Sequence, residues 1–388
     1  MSDRLGINYR LEITVLTPLH VGNGVTLLQG FDFAVQGGRT YRLNEEAILN
    51  EYWPEDPVQQ KRLLGQPLSA LLSPQDYQRH PEYFHYVLSG EPELGEVREH
   101  IKDASGRPYL PGSSLKGALR TALLRVLTAG RTFRRSDFAR VDNPHDPKEV
   151  ARKAKEAAQP LEKSLLGSTA NRSVLRALHL GDSAAAPLEA LALWHVRMAN
   201  RRQVAMPTPP GSKPLIVAVE AIRPGTVLTA TLRLDTWLLD QRSRRGLDWS
   251  ESLVQRVRGI APMAQRAAVR RLQHERSYHA RRGDTEATRF YEERLREARG
   301  DWPENEFLLQ VGFAGGWRSK VVLDQIADDD PLLEQLVRDF HLDRGSGRGQ
   351  GYRLGQPFPK TRHLAYGGGQ PALPMGWLRV RMIEEESP

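Results

Sequence analysis

Apolar and polar residues alternate from Ile7 to Thr17 with β-branched members among them, which predicts a strand. The run ends in Pro18-Leu19-His20-Val21-Gly22-Asn23-Gly24, a glycine-rich turn. Phe31 to Val35 and Thr40 to Leu43 predict a hairpin around Gly37-Gly38. Residues 45–90 mix short helical patterns with proline breaks, and Arg107 to Leu110 predicts a short strand. Pro111-Gly112-Ser113-Ser114 then opens a helix over about 114–128. Residues 131–176 are polar, basic and partly helical, and Leu175 to Leu180 and Leu191 to Met198 predict strands. Leu215 to Ile222 and Val227 to Leu234 predict another pair around Pro224-Gly225. Residues 249–299 read as Arg-rich helix broken at Pro262 and near Gly283. Phe307 to Val311 predicts a strand, followed by a glycine turn and a helix from about Ser319. A helix over about 331–340, a glycine-rich loop over 344–355 and a strand over Trp377 to Ile383 complete the chain.

A strand leading to a glycine turn, and a helix after a short strand, occur in both halves. The expected fold class is therefore α+β, with two small ferredoxin-like (RRM-like) domains carrying helical insertions. Ala205 to Pro214 holds four prolines and a glycine and sets the expected boundary, giving residues 1–204 and 205–388.

Composition narrows the function. The chain has 388 residues, 39% of them apolar and 26% charged. It contains no cysteine, which excludes disulfides, thiolate nucleophiles and Cys-based zinc sites. No apolar run approaches the roughly 18 residues of a membrane span, and Met1 to Gly6 lacks a signal-peptide pattern, so the expected location is cytoplasmic. Net charge is +8, suited to a polyanion partner. The distribution is uneven: residues 45–103 carry 12 acids against 5 bases, residues 111–176 carry 14 bases against 6 acids, and residues 338–362 carry 6 bases against 2 acids. Concentrated positive charge fits a binding face better than general solubility.

Gly112-Ser113-Ser114-Leu115-Lys116-Gly117-Ala118-Leu119-Arg120 is the strongest single motif. Ser113 or Ser114 can cap the helix, whose free N–H groups make an anion site. Gly112 and Gly117 let a phosphate backbone approach, and Lys116 and Arg120, four apart, share a helix face that a phosphate could bridge. An ordinary capped helix with two solvated cations reads equally well. It is not a nucleotide-binding P-loop, because Ala118 stands where Lys-Ser/Thr is required. Arg344-Gly345-Ser346-Gly347-Arg348-Gly349-Gln350-Gly351-Tyr352-Arg353 offers amides and guanidinium groups to an RNA backbone, with Tyr352 able to stack on a base. The alternative there is a solvated loop. Gly312 to Lys320 is another glycine turn ahead of a basic helix start, in which Trp317 is a stacking platform or a core anchor. His20 is a candidate acid or base without a visible partner in sequence, and is read as structural or RNA-contacting. Asp32 is an isolated hairpin acid and Asp182 a turn residue. No paired carboxylates, zinc-binding His-x-x-Glu-His pattern or Ser-His-Asp order emerges.

Thr17 to Gly24 followed by Tyr109 to Gly117 resembles the RAMP superfamily of CRISPR proteins. Leu175 to Ser183, Gly312 to Lys320, Pro359-Lys360-Thr361-Arg362 and Met375 to Leu378 resemble, within it, the Csm-five family of type III-A effector subunits. The resemblance implies two RRM-like domains and a binding rather than catalytic subunit at the end of the backbone filament. It implies contact with the 3′ part of the crRNA and a part in crRNA maturation and antiviral defence. Expected partners are the crRNA and a neighbouring backbone RAMP subunit, with target RNA and a crRNA-trimming nuclease as further candidates. No cofactor or metal is expected. Asp32 falls near the position of the backbone subunits' cleaving acid, but within Gly30-Phe31-Asp32-Phe33, so catalysis is not carried over to it. Arg318-Ser319-Lys320 departs from the family's usual Lys-Thr pair. The expected RNA contacts are His20, Gly22, Gly24, Gly112, Ser113, Ser114, Lys116, Gly117, Arg120, Gly315, Gly316, Lys320, Arg344, Gly347, Arg348 and Lys360. The competing readings are a RAMP endoribonuclease that processes CRISPR transcripts through His20, and a backbone subunit that cleaves target RNA through Asp32.

Overall fold

A computed structural model describes residues 5–63, 65–199, 216–315, 325–343, 352–359, 361–367 and 370–385. In chain order the strands are β1 (Ile7–Val15), β2 (Gly22–Leu28), β3 (Phe33–Gln36), β4 (Arg39–Leu43), β5 (Phe84–Ser89), β6 (Glu96–His100), β7 (Leu178–Leu180), β8 (Leu191–Ala199), β9 (Ile216–Ile222), β10 (Val227–Leu234), β11 (Glu306–Gln310), β12 (Arg362–Gly367), β13 (Gln370–Leu373) and β14 (Trp377–Glu385). The helices are α1 (Glu45–Tyr52), α2 (Pro57–Leu63), α3 (Asp76–Arg79), α4 (Gly112–Leu127), α5 (Pro147–Lys155), α6 (Gln159–Leu166), α7 (Glu251–Arg258), α8 (Ile260–Ala280), α9 (Thr285–Arg299) and α10 (Pro331–Asp339).

The first sheet has the order β11-β14-β1-β10-β7, all antiparallel. Taken as β1–α4–β7–β10–α8–β14, this is the split β-α-β-β-α-β pattern of a ferredoxin-like unit. The chain is α+β, built around this ferredoxin-like unit. Period-two alternation explains the sheet: Leu11, Ile13 and Val15 of β1 and Leu228, Ala230, Leu232 and Leu234 of β10 turn inward. They meet Leu115, Leu119 and Leu123, successive turns of one face of α4, and Ile260, Met263, Ala264 and Ala267 of α8. On the opposite face, Arg381 pairs with Glu12 at 2.8 Å and Arg379 with Glu306 at 2.6 Å.

The second sheet runs β13-β12-β8-β9-β6-β2, and a third, β3-β4-β5, adds one strand of the acidic 45–103 stretch to the Phe33–Leu43 hairpin. The segment after β1 joins the first two. Leu16 N–H donates to Trp377 O (2.9 Å), Gly376 N–H donates to Pro18 O (2.9 Å), and Leu19 exchanges backbone hydrogen bonds with Ile222. Thr17–His20 is thereby fixed between the sheets.

The expected division at 204/205 does not coincide with the sheets. β1 lies between β10 and β14, and β8 pairs with β9 across the proline-rich stretch, so that stretch links antiparallel neighbours of one sheet. The expected break at Pro262 falls at Gly259, between α7 and α8, three residues ahead of the proline. Pro262 is the third residue of α8, where its missing N–H would have had no intrahelical partner. Among the described residues no helix is long and apolar enough to cross a membrane.

Candidate nucleic-acid interface

A groove of about 720 Å³ opens where the Thr17–Gly24 segment, β6, α4 and the Gly312-Phe313 turn meet. It gathers His20, Gly22, Gly24, Ser114, Gly117 and Arg120, six of the residues expected to contact RNA, with Arg98, Glu99, Thr121, Gln310 and Phe313. Phe313 N–H donates to His20 O at 2.8 Å, fastening the turn to the end of the first strand segment. Gly312 has φ +84°, and a Cβ there would lie 2.4 Å from His20 O. Gly117 is different: a Cβ on it would meet nothing within 4 Å, so the helix presents bare backbone to open space. Gly117→Ala should therefore stabilise the protein by ~0.5–1 kcal/mol through helix propensity. Gly312→Ala should destabilise it by about 1–2 kcal/mol or more through left-handed strain and overlap. Urea unfolding of the two variants checks both signs.

Behind the groove lies a buried polar network. His20 is 2% exposed, and its Nδ1–H donates to Glu220 O at 2.6 Å. Burial pushes its pKa down, the Glu220 hydrogen bond opposes this, and Arg98 and Lys102 push it further down, to about 4. His100 Nε2–H donates to Tyr109 O (3.1 Å) and its Nδ1 accepts from Val21 N–H (3.3 Å), which fixes one neutral tautomer. Burial and then His20 lower its pKa to about 3. The Glu220 carboxylate accepts from Tyr86 O–H, His100 N–H and Lys102 Nζ. Lys102 also reaches Glu99 Oε1 at 3.1 Å, while Asn23 Nδ2 donates to Glu99 Oε2 at 2.7 Å. This network holds both walls of the groove with neutral imidazoles in its floor.

The start of α4 corrects the expected anion site. Its N-cap is Pro111, with neither Ser113 nor Ser114 capping through its side chain. Gly112 N–H donates to Asp182 Oδ1 at 2.8 Å, so the chain's own carboxylate sits where a phosphate was expected. A Cβ on Gly112 would lie 2.6 Å from Leu180 O and Gly181 O, so this glycine permits helix–strand packing rather than RNA approach. Lys116 Nζ donates to Leu178 O (2.8 Å), and burial lowers its pKa. Arg120 instead pairs with Glu162 at 3.2 Å. Gly112, Ser113 and Lys116 line a second groove of about 640 Å³ with His179, Gly181 and Arg233. Lys116 and Arg120 therefore do not bridge one phosphate.

Gly315 is buried, and its carbonyl accepts from Arg271 Nη2 at 3.0 Å, which removes it from the groove surface. Tyr352 is a core residue rather than a stacking platform: its ring packs on Phe358 and its O–H donates to Asp328 O at 2.6 Å. Asp32 accepts from Leu28 N–H at 2.8 Å and closes the turn before β3. Gly316, Trp317, Lys320, Arg344, Gly347, Arg348 and Lys360 lie outside the described residues. Sequence reasoning missed Arg98, whose guanidinium lies 4.9 Å from the Phe313 ring centroid, because it sits inside the acidic stretch.

The family model described as the RAMP superfamily matches residues 12–262. A 33-residue stretch is 61% identical to "CRISPR system Cms protein Csm5" of Streptococcus thermophilus, over 8% of this chain and 9% of that protein's length. Among solved structures, a chain of the cryo-EM Csm–crRNA–target RNA ternary complex of a type III-A CRISPR-Cas system aligns with TM-score 0.65 and 22% identity, covering 97% of this chain and 100% of that one. The crystal structure of T. onnurineus Csm5 aligns with TM-score 0.60 and 20% identity, covering 95% and 99%.

Proposed function

The chain belongs to the RAMP superfamily, and from that premise we propose that it is a Csm5-type subunit of a type III-A CRISPR effector complex. In this reading it holds the 3′ part of the crRNA, caps the complex and supports crRNA maturation without cutting RNA itself. The observation that carries it is the groove, which unites the Thr17–Gly24 turn, α4 and the Gly312-Phe313 turn on one surface. End-to-end likeness to a chain of a Csm–crRNA–target RNA complex supports the same reading. So does the resemblance to the Csm-five family read from the sequence, which a local match to a Csm5 repeats.

The non-cutting part rests on His20. A ring that is buried, neutral at physiological pH and tied at Nδ1 to a backbone carbonyl is poorly placed to shuttle protons to a scissile phosphate. The groove's glycine backbone and its cations Arg98 and Arg120 suit gripping an RNA chain without reading its sequence. The partners in this reading are the crRNA, a neighbouring backbone RAMP subunit, target RNA and a trimming nuclease.

The test is photocrosslinking of the assembled complex with 4-thiouridine placed along the crRNA. Crosslinks to this subunit from the 3′ part are expected, and crosslinks from the 5′ end alone would defeat the proposal. In the same preparation, native mass spectrometry should count this subunit once, whereas several copies would favour a backbone role. Pure protein with repeat RNA in EDTA should leave the RNA intact. Specific cleavage lost in His20→Ala would replace the capping reading with an endoribonuclease.

A further inference from the structure

The groove contains one arrangement that gripping a phosphate backbone does not use. Arg98, on β6, is exposed and makes no ion pair with the described residues. Its guanidinium lies 4.9 Å from the centroid of the Phe313 ring. Phe313 in turn meets His20 edge-on, with centroids 5.6 Å apart and planes at 82°, and His20 meets His100 at 5.8 Å. His363 of β12 flanks Phe313 at 6.2 Å. Each member below the guanidinium is held in place: Phe313 by its N–H on His20 O, His20 by Glu220 O, and His100 by Tyr109 O. The result is a cation over a fixed aromatic support, both lining an open groove.

We propose that Arg98 on Phe313 is a stacking platform for one unpaired nucleobase of a single-stranded RNA, seated in the groove between β6, α4 and the Gly312-Phe313 turn. This rests on the RNA-binding reading above and specifies what that site takes. A phosphate is the poorer occupant beside Arg98. Glu99 adjoins it in the same groove, and its carboxylate, held by Lys102 and Asn23, keeps acceptor lone pairs that suit a base or ribose donor and not a phosphate. Ser114 lines the same cavity and offers its hydroxyl to a base edge, whereas Thr121 Oγ1 donates to Gly117 O and Gln310 Nε2 to Met375 O. A guanidinium plane stacks on a base as an ammonium cannot. Bases locked in a duplex cannot enter, so the groove takes single-stranded RNA.

The test uses the full-length protein and short single-stranded RNAs carrying 2-aminopurine at each position in turn. Wild-type protein should change the 2-aminopurine emission at one position, and an abasic ribose there should weaken binding about tenfold, the scale of one base–aromatic stack. Arg98→Lys should weaken binding of the intact RNA by a similar factor with little change in its salt slope, because the charge remains. It should add nothing to the abasic loss. Phe313→Leu, which keeps apolar volume under the guanidinium, should behave in the same way. Unfolding curves confirm that each variant is folded. If Arg98→Lys binds like wild type while Arg98→Ala is weak, the residue is a phosphate contact and the platform is refuted. An abasic series with no sensitive position refutes it as well. Failure of wild-type protein to bind any of these RNAs would overturn the RNA-binding reading, and this inference with it.

Discussion

Glu275→Ala is expected to cost about 3–5 kcal/mol of folding stability, the usual loss when one partner leaves a buried ion cluster. The Glu275 carboxylate lies within α8, 3.1 Å from Arg271 one turn earlier and 2.8 Å from Arg362 Nε on β12. All three side chains are buried. Burial alone would raise the Glu275 pKa, but Arg271 and then Arg362 outweigh it and hold the carboxyl well below the usual carboxylate range. Alanine would leave two guanidinium groups in the interior with their counter-charge gone. Arg362 would keep its place over the Tyr278 ring at 3.8 Å and its bonds to Pro359 O and Thr361 O, which limits the loss. Glu275→Gln should cost less than alanine, because the amide oxygen can still accept from Arg362. Urea unfolding of the full chain at neutral pH measures both variants. A loss under about 1 kcal/mol for alanine would mean that water or a rearranged acid compensates the arginines. The cluster also reaches the groove, since Arg271 holds the Gly315 carbonyl two residues beyond Phe313. Weaker RNA binding should therefore accompany the stability loss.

Local pattern made part of this molecule legible. The alternation over Val227 to Leu234 predicted β10 to the residue, because one of its faces is buried and the other exposed at every step. β2 escaped for the opposite reason. Six of its seven residues are exposed on a sheet edge, so no buried face marks it, and its glycines read as a turn. β5 was hidden in the 45–90 stretch, which reads as broken helix, and β6 lies just beyond it, where no element was read. Resemblance located both walls of the groove, the Thr17–Gly24 turn and the Tyr109–Gly117 segment, and the fold brings them together. Periodicity could not supply the partners across the chain. Asp182 caps Gly112 from 70 residues away, and Leu178 O takes the Lys116 ammonium from 62 residues away. Both pairings turn an apparent anion site into packing. Glu220, which organises the floor of the groove, reads in sequence as one acid within an apolar strand. Its partners Tyr86, His100 and Lys102 lie more than a hundred residues upstream.

That floor carries the second large expected effect, a loss of stability between about pH 6.5 and pH 4, before most carboxylates titrate. The unfolded chain takes up protons on His20 and His100 near their ordinary pKa of 6.5, whereas the folded chain resists until about 4 and about 3. Across that interval the unfolded state binds more protons, so stability falls as pH falls, and it levels off only below the folded values. Each unit of difference is worth roughly 1.4 kcal/mol, so the two rings together withdraw several kcal/mol. Other groups that face this pair bear on the slope. Lys102 pushes both rings further down and Arg98 does so for His20, while the Glu220 carboxylate accepts from Lys102, His100 N–H and Tyr86 O–H. His100→Gln separates the histidine contribution from the rest. Glutamine can donate to Tyr109 O and accept from Val21 N–H, as the neutral ring does, but it has no proton to gain. Urea midpoints at pH 7.5, 6, 5 and 4.5 should fall less steeply for the variant than for the natural protein, with the two nearest at pH 7.5. Parallel curves would mean that His100 is already solvated and protonates freely in the folded state. The groove's floor would then open as the pH drops, and RNA affinity would change with it rather than stability.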